Sequence, residues 1–377
     1  MILKKIKLLN FRNYNKIIVT LSPTINIFIG NNAQGKTNIL ESIYVLGLTK
    51  SYRTTSDYNL IKFEKENFKI QGELKIEKAY RNMSIDLTND KKTVKVNNNE
   101  IKKISDYITN LNVILVSPED IEIIKGSPAD RRNFLNIELS QLSKSYIKKY
   151  NEFSKILKIR NDYLKLLYKN SNSDTRYLDS LTENLIEREI SIYKERHNFI
   201  SKINKKINRI YKDISGIEGL NIIYENNIEF KSFEEDRIEE SLREKYAKSL
   251  RKEIENGMTL YGPHRDELKF YINNEDIKIF GSWGQQKLAI IALKLAEIEI
   301  FEEVTKTKPI VLLDDIFSEL DRKNRNKVTS YINKDFQVVI TSNDTRGINK
   351  KLLDNAKIFE VSNGEIIEKG GENNDRR

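Results

Sequence analysis

The chain contains no cysteine, and only two of its 377 residues are histidines. The missing cysteines exclude disulfide bonds and thiolate metal sites. His197 and His264 are too few and too far apart in the sequence for a metal cluster. No apolar stretch approaches the roughly 18 residues that a membrane span requires, and Met1–Lys5 does not resemble a signal peptide. We therefore expect a cytoplasmic protein without a membrane partner.

The charge of the chain is basic, with 65 lysines and arginines against 55 acidic residues, a net charge of +10 and a pI near 9.2. This balance favours a polyanionic partner, although abundant Lys, Asn and Ile indicate that A+T-rich coding sequence contributes part of it. Short lysine runs are candidate phosphate contacts, and each also fits a solvated surface. The sequence shows no base-reading motif and no regular aromatic ladder, so sequence-independent binding to duplex DNA or a junction is expected.

Residues 30 to 37 match the phosphate-loop pattern G-x-x-x-x-G-K-[ST] over its full length. They are Gly30, Asn31, Asn32, Ala33, Gln34, Gly35, Lys36 and Thr37. The two glycines let the backbone curl so that its N–H groups point at phosphate oxygens, while Lys36 supplies a point charge and Thr37 a hydroxyl ligand for Mg²⁺. The pattern predicts binding of ATP or GTP with Mg²⁺, and we assign Lys36 a catalytic role as well.

A second part of a nucleotide site lies far downstream, where an apolar run that starts at Pro309 ends in Asp314 and Asp315. Alone, such a run is more often just the end of a strand. Paired with the phosphate loop, it predicts a buried Walker B strand. Asp314 would hold Mg²⁺, directly or through water, and Asp315 would polarise the attacking water.

Between these motifs lies the segment Gly281-Ser282-Trp283-Gly284-Gln285, followed by a strongly helical run. By itself the segment fits an ordinary helix N-cap that contains glycine. The order of phosphate loop, insertion, this segment, Walker B strand and then Ser318–Asp321 is similar to that of ABC-type ATPases. The resemblance implies that Ser282, Gly284 and Gln285 bind the nucleotide of an opposite subunit, so that ATP drives formation of a homodimer.

Further segments of the sequence narrow the resemblance to one branch of this superfamily. The opening segment Ile6–Tyr14 resembles the SMC-like, DNA-maintenance branch. Three further segments are similar to the bacterial RecF family: Ser117–Asp120 leading into Lys125–Leu135, Tyr261–Asp266, and Leu313–Asp321. The resemblance runs from residue 1 to about residue 365. Two positions depart from the wider superfamily: Trp283 is a bulky signature residue, and Asp315 stands where transporters and most SMC heads carry Glu. The shorter Asp315 side chain implies slow hydrolysis and therefore a switch rather than a motor.

The resemblance implies an α/β fold, an ABC-type P-loop ATPase head with a mixed sheet, flanking helices and an antiparallel β subdomain, into which an α-helical domain is inserted. We expect the head in residues 1–118 and 259–369, the helical insertion in 119–258, and a disordered polar tail in 370–377. Alternating apolar residues between Phe68 and Val96 predict an antiparallel meander within the head.

Two stretches of the insertion carry apolar residues at three-four spacing, Leu139–Leu167 and Ile186–Ile214, and only Arg160 interrupts the first. The pattern predicts two helices of about 35 residues that pair antiparallel, joined by a turn at Asn170–Asp174. A projecting arm and a helical subdomain packed on the head both fit this pattern.

The RecF resemblance implies a recombination mediator in DNA replication, DNA repair and the SOS response. It implies an ATP-dependent homodimer that closes on duplex or gapped DNA, a weak DNA-stimulated ATPase activity that releases it, and action with RecR and RecO to help RecA load. Two other functions stay open, a short SMC-like head that tethers chromosomal DNA and an ABC transport ATPase subunit. Missing long arms disfavour the first, and the lack of a switch histidine after Val338–Ser342 disfavours the second.

Overall fold

The computed structural model describes residues 1–77, 79–89, 91–169, 174–332, 336–346 and 348–369. Most of the predicted turn, residues 170–173, and the predicted tail lie outside the described residues. The strands are β1 (Ile2–Phe11), β2 (Tyr14–Thr20), β3 (Ile25–Ile29), β4 (Phe68–Ile76), β5 (Ala79–Thr88), β6 (Lys91–Val96), β7 (Asn99–Glu100), β8 (Val113–Val116), β9 (Leu220–Glu225), β10 (Glu267–Ile272), β11 (Glu275–Asp276), β12 (Ile310–Asp314), β13 (Val338–Ser342), β14 (Ala356–Ser362) and β15 (Glu365–Lys369).

The α-helices are α1 (Lys36–Leu48), α2 (Ile104–Ile108), α3 (Glu122–Lys125), α4 (Pro128–Leu142), α5 (Lys144–Lys169), α6 (Arg176–Ser215), α7 (Glu235–Asn256), α8 (Trp283–Thr305), α9 (Arg322–Ile332) and α10 (Lys350–Leu353). None of the helices in the described part of the chain is both long and apolar enough to cross a membrane.

The chain forms two compact units. The first unit contains Met1–Asp120, Ile210–Gly216 and the described chain from Ile291 onward, and the second contains Ile121–Arg209 and Ile217–Ile290. This grouping by compactness places residues 259–290 with the second unit, whereas the sequence motifs assign them to the ATPase head. The functional boundaries at 118 and 258 therefore stay a prediction.

A mixed six-stranded sheet in the first unit carries the strands of the predicted nucleotide site. Its strand order is β15-β14-β3-β13-β12-β8, and every neighbouring pair is parallel except β14 with β15. All residues of β8, β12 and β13 are buried, as expected for parallel strands that are covered on both faces. β3 from the start of the chain therefore lies between β13 and β14 from its end.

The second sheet of the first unit is the predicted antiparallel meander, with strand order β2-β1-β4-β5-β6-β7. One face is buried, with Phe68, Ile70 and Leu74 of β4 inside the core. The same face contacts helix α1 closely, because a Cβ added at Gly72 would lie 2.3 Å from Leu46 Cδ2. The alternation in the sequence thus reflects one buried and one polar face, and the meander prediction is confirmed.

Helix α5 and the part of α6 that belongs to the second unit pair antiparallel, as predicted. Glu152 Oε2 lies 3.6 Å from Arg188 Nε, and further along α5 the rings of Tyr163 and Tyr177 stack edge to face with centroids 4.9 Å apart. Later residues of α5 therefore contact earlier residues of α6, as expected for an antiparallel pair.

Two parts of the helical prediction were wrong. The first long helix is broken at Ser143, which adopts an extended conformation and accepts a hydrogen bond from Tyr146 N at 3.1 Å. A serine in this position starts a new helix as an N-cap and so overrides the continuous apolar spacing. In addition, the region expected to be helical contains β9, which pairs with β10 in a three-stranded sheet.

Arg160, which interrupts the apolar spacing of α5, is the centre of a buried polar cluster. Its guanidinium donates to Glu253 Oε2 at 2.7 Å, Thr259 Oγ1 at 2.7 Å and Thr182 Oγ1 at 3.0 Å. Both Arg160 and Glu253 are completely buried. A paired, fully hydrogen-bonded charge can occupy a core position that an isolated charge could not.

We expect Arg160→Ala to lower the free energy of unfolding by about 3 to 5 kcal/mol, because it leaves the Glu253 carboxylate buried without its charge partner. Urea denaturation measures this loss. The double variant Arg160→Met with Glu253→Leu should recover part of it, since both charges are then gone. Arg188→Ala, which removes the partly exposed pair with Glu152, should cost about 1 kcal/mol or less. Equal losses for Arg160→Ala and Arg188→Ala would contradict this account of the cluster.

Candidate functional site

The phosphate loop connects β3 to helix α1. Gly30 has a φ of 155° and Gly35 a φ of 116°, values that favour glycine over residues with a Cβ. A Cβ at Gly30 would also lie only 2.3 Å from the backbone oxygen of Val361 in the neighbouring strand β14. Helix α1 begins at Lys36, so its N-terminal N–H groups and its positive dipole end lie directly after the loop.

The opening segment of the chain supports this loop from one side. Asn13 Nδ2 donates to Gln34 O at 2.8 Å, and the buried Tyr14 hydroxyl donates to Gly35 O at 2.9 Å. Asn13 Oδ1 accepts from Asn38 Nδ2 at 2.9 Å. These bonds hold the backbone of the loop in its curled conformation. The segment that resembled the DNA-maintenance branch therefore contributes directly to the geometry of the site.

An ion pair between Arg12 and the buried carboxylate of Glu41 anchors helix α1 to the same segment. Arg12 donates to both carboxylate oxygens of Glu41, from Nε at 2.8 Å and from Nη2 at 2.5 Å. The Glu41 side chain is fully buried, and it lies one helical turn after Thr37. A two-point guanidinium–carboxylate contact fixes orientation as well as distance, so it sets the direction in which the helix presents its first turn.

The Lys36 ammonium contacts three oxygens at the mouth of the loop. Nζ donates to Gly30 O at 2.6 Å, Asn31 O at 2.8 Å and Asn343 Oδ1 at 3.0 Å. Burial lowers the pKa of Lys36, while Asp315 and Asp314 oppose this shift. An ammonium group has three donors, so a phosphate oxygen can reach Lys36 when one of these bonds is exchanged.

The two halves of the predicted site meet at Thr37 and Asp314. Thr37 Oγ1 donates to Asp314 Oδ1 at 3.0 Å, and Thr341 Oγ1 donates to the same oxygen at 2.7 Å. The carboxylate is buried, and this burial raises the pKa of Asp314 above its usual range, although the hydrogen bonds oppose the rise. The predicted pairing of the phosphate loop with the Walker B strand is therefore present in the fold.

Asp315 follows the strand in a left-handed conformation with a φ of 50°. Its backbone N–H donates to Thr341 Oγ1 at 3.1 Å. The Oδ1 atom of its carboxylate is buried and has no hydrogen-bond partner among the described residues. Uncommon backbone conformations and unsatisfied buried oxygens often occur at functional sites, and this oxygen suits the predicted role of accepting a hydrogen bond from water.

The residues at this position fit Mg²⁺. This ion prefers oxygen ligands and is often held by one or two carboxylates together with phosphates of the substrate. Thr37 and Asp314 supply a hydroxyl and a carboxylate 3.0 Å apart. The described residues contain no group of three or more His, Cys, Asp or Glu side chains that could hold a metal alone. The arrangement therefore suits an ion that the nucleotide phosphates help to bind.

Three contributors to the site were not predicted from the sequence: Tyr52, Thr341 and Asn343. Thr341 and Asn343 lie at or just after the carboxyl end of β13, which pairs with both β3 and β12. Ligands bind at this edge of parallel sheets, so the strand order would have identified them. Tyr52 has no comparable signal. Its hydroxyl donates to Asp314 Oδ2 at 3.3 Å from the segment after α1.

The predicted signature residues belong to the second unit and lie at the start of helix α8. Ser282 Oγ accepts from Gln285 N at 3.3 Å, and Gln285 Oε1 accepts from Ser282 N at 2.8 Å. This reciprocal pair is a capping box. Ser282 and Gly284 are exposed, and a Cβ added at Gly284 would contact nothing within 4 Å. Packing within the described chain therefore does not require glycine at this position.

Comparison with known proteins places this P-loop ATPase fold in a family. The chain matches the sequence model described as RecF/RecN/SMC N terminal domain over residues 2–366, and it therefore belongs to this family. Membership implies ATP hydrolysis.

Curated relatives narrow the match to its RecF branch. The chain is 39% identical to the DNA replication and repair protein RecF of Listeria welshimeri over 365 residues, which cover 97% of the chain and 99% of the relative. It is 38% identical to RecF of Staphylococcus epidermidis over 368 residues, with 97% and 99% covered.

Solved structures give the same result. A structure of the recombination mediator protein RecF with ATP, described as part of the RecFOR pathway, matches with a TM-score of 0.90 and 32% identity and covers 98% of both chains. An Smc head bound to the winged-helix domain of ScpA matches with a TM-score of 0.54 and 17% identity over 99% of this chain and 98% of that one, which shows a shared fold alone.

We expect Tyr52→Phe to lower the Mg²⁺ affinity of the nucleotide site by roughly tenfold, because Asp314 Oδ2 loses the hydrogen-bond donor that orients it. Titration of Mg²⁺ at fixed fluorescent ATP analogue measures this effect, and binding without Mg²⁺ should be unchanged. Tyr44→Phe is the matched control, since the Tyr44 ring packs against Tyr52 at 5.1 Å. Equal Mg²⁺ affinities for the two variants would contradict the assigned role.

The same contact predicts a pH effect. Because burial raises the pKa of Asp314, its carboxylate gains a proton at a higher pH than an ordinary aspartate. Mg²⁺-dependent binding should therefore disappear on acidification above the usual aspartate range. The Tyr52 hydrogen bond opposes the raised pKa, so in Tyr52→Phe the midpoint should move to still higher pH. A midpoint that does not move would indicate that Asp314 and Tyr52 are not coupled.

Proposed function

We propose that this chain is an ATP-dependent, DNA-binding recombination mediator in DNA replication and repair. The observation that carries the proposal is the assembled site in which Lys36, Thr37 and Asp314 from the two ends of the chain meet. Relatives that match along 97% of the chain are named DNA replication and repair protein RecF. A chromosome-tethering head and a transport ATPase subunit are not favoured, because these relatives are repair proteins.

ATP binding would join two copies of the chain. In this proposal the nucleotide and Mg²⁺ bound by Gly30–Thr37 and Asp314 of one copy meet Ser282, Gly284 and Gln285 of the other. The exposed Gly284 supports it, since no neighbour in the described chain requires a residue without a Cβ at this position. A close approach by a ligand from outside the chain would explain it.

Hydrolysis would be slow and would release the closed state. Asp315 is the residue that we assign to position water, through the carboxylate oxygen that has no partner in the described residues. Its short side chain supports a switch in which ATP closes the dimer and hydrolysis opens it. We further propose that DNA stimulates this weak activity.

The DNA partner would be duplex or gapped DNA, bound without sequence preference, and the protein partners would be RecR and RecO, with RecA loaded downstream. The net charge of +10 supports a polyanionic partner. A related solved protein is described as a mediator in the RecFOR pathway. The functional division into a head, residues 1–118 and 259–369, and a helical insertion, residues 119–258, belongs to the same proposal.

Fluorescence anisotropy with a labelled gapped DNA, measured with ATP, with ADP and without nucleotide, tests the proposed function. Binding should be tightest with ATP and should weaken steeply as salt is raised. Lys36→Arg should retain much of the nucleotide affinity and lose hydrolysis, because a planar guanidinium does not reproduce the compact charge of lysine. It should therefore hold DNA longer after ATP is added. DNA binding that is the same in all three nucleotide states would contradict the switch.

We expect Ser282→Arg to leave ATP binding by the monomer intact and to abolish ATP-dependent dimerisation, because the added side chain occupies the surface that receives the opposite nucleotide. Analytical ultracentrifugation with and without ATP measures the dimer. Ser154→Arg, which adds the same side chain at an exposed position of α5, should dimerise normally. If Ser282→Arg still forms a dimer with ATP, the signature residues are not part of the dimer interface.

A further inference from the structure

The polar face of the antiparallel sheet in the first unit is rich in lysine. Strand register places the outward side chains of five strands in rows, and one row joins Ile18, Lys7, Gln71, Ser84 and Lys95. We call this surface the lysine face. Its charged members are Lys4, Lys5, Lys7, Lys16, Lys69, Lys75, Lys91 and Lys95, together with Glu73, Asp86 and Glu100.

The charge of the lysine face is strongly one-sided. Eight lysines stand against three carboxylates, which leaves five positive charges in excess. The whole chain has an excess of ten, so half of it lies on one face of one sheet. Compositional drift alone would spread lysines over the surface, whereas this face concentrates them where they add to one local potential.

Only part of this charge is neutralised within the chain. Lys5 and Lys7 share Glu73, with N–O distances of 3.6 Å and 3.0 Å, and Lys91 lies 3.7 Å from Glu100. The other five lysines of the face make no ion pair with any described residue; Lys4 donates a hydrogen bond to the Tyr80 hydroxyl, and the remaining four are Lys16, Lys69, Lys75 and Lys95. Their ammonium groups are therefore available to an external anion.

The form of the face also suits a polar ligand. A depression of about 210 Å³ lies on it, lined in part by Lys7, Gln71, Asn82 and Ser84. These side chains offer an ammonium, two amides and a hydroxyl, which are the groups that proteins use to contact phosphate oxygens. The carboxylate of Glu73 also lines the depression, already paired with Lys7.

A protein partner fits this face less well. The cores of protein interfaces are depleted in lysine and enriched in aromatic residues. The exposed apolar side chains here are Leu9, Ile18 and Tyr80, and each lies opposite a lysine, since Leu9 pairs with Lys16, Ile18 with Lys7 and Tyr80 with Lys75. Three apolar side chains interspersed with lysines do not form a hydrophobic core for docking.

We propose that the lysine face binds the phosphate backbone of duplex DNA, with Lys16, Lys69, Lys75 and Lys95 as phosphate contacts. The inference rests on the DNA binding in the proposed function and assigns it to a surface. Adjacent strands lie about 4.8 Å apart, so the four lysines, which lie on β2, β4 and β6, spread over roughly 19 Å across the sheet. Lysines spread over that width can contact several phosphates at once without reading bases.

The test compares two variants of equal charge in the full chain. The face variant carries Lys16→Gln, Lys69→Gln, Lys75→Gln and Lys95→Gln, and the control variant carries Lys155→Gln, Lys158→Gln, Lys169→Gln and Lys202→Gln, which replace exposed lysines of α5 and α6. Anisotropy with a labelled duplex across a salt series gives the affinity and its salt slope. The face variant should bind at least about tenfold more weakly, and its slope should fall by about one for each lost phosphate contact.

Thermal unfolding shows whether both variants are folded, and Asp86→Asn supplies a test that does not depend on weakened binding. Removing this carboxylate from the lysine face should strengthen duplex binding by a few-fold.

If the face variant binds like the control variant, the lysine face is not the DNA surface, while the proposed function stands. If the unmodified chain binds no DNA, the proposed function fails and this inference with it. Polyglutamate of matched charge that competes as well as DNA would instead indicate an acidic protein partner and overturn the assignment.

Discussion

The hydrogen bond between Thr37 Oγ1 and Asp314 Oδ1 is the contact on which the rest of the site depends. It joins the first turn of α1 to the end of β12, and it forms because β3 and β12 both pair with β13 in the parallel sheet. The chain between these strands contains strands β4 to β7 of the antiparallel sheet and the whole second unit. The site therefore exists only when β3, β12 and β13 have assembled into one sheet.

A second layer of contacts keeps that bond in place. Arg12 anchors α1 through buried Glu41, and Asn13 holds the loop backbone at Gln34. Without these contacts the glycine-rich loop would be free to adopt other conformations, since Gly30 and Gly35 restrict its backbone little. The opening strand pair is thus part of the nucleotide site even though none of its side chains is a ligand in the predicted motif.

Local sequence patterns predicted the motifs and elements that depend on neighbouring residues. They failed for features that depend on contacts between residues far apart in the chain. The phosphate loop, the buried strand that ends in Asp314 and the alternation around Phe68 were readable because spacing alone defines them. The hydroxyl of Tyr52 reaches Asp314 across 262 residues, so no local pattern reveals it. Ser143 divided a predicted helix because one capping side chain outweighed regular apolar spacing, and Arg160 proved to be a core residue because its partners come from two other segments.

The central claim is that one nucleotide is held between the loop of one copy and the signature of another, and mixing two inactive variants tests it most directly. Ser282→Arg keeps an intact phosphate loop, and Lys36→Ala keeps an intact signature. A mixed dimer then contains one complete composite site, so ATP hydrolysis by the mixture should rise well above the sum of the separate variants, and each mixed dimer should have about half the activity of an unmodified dimer. If the mixture shows only that sum, the two variants do not complement each other and the shared site does not exist.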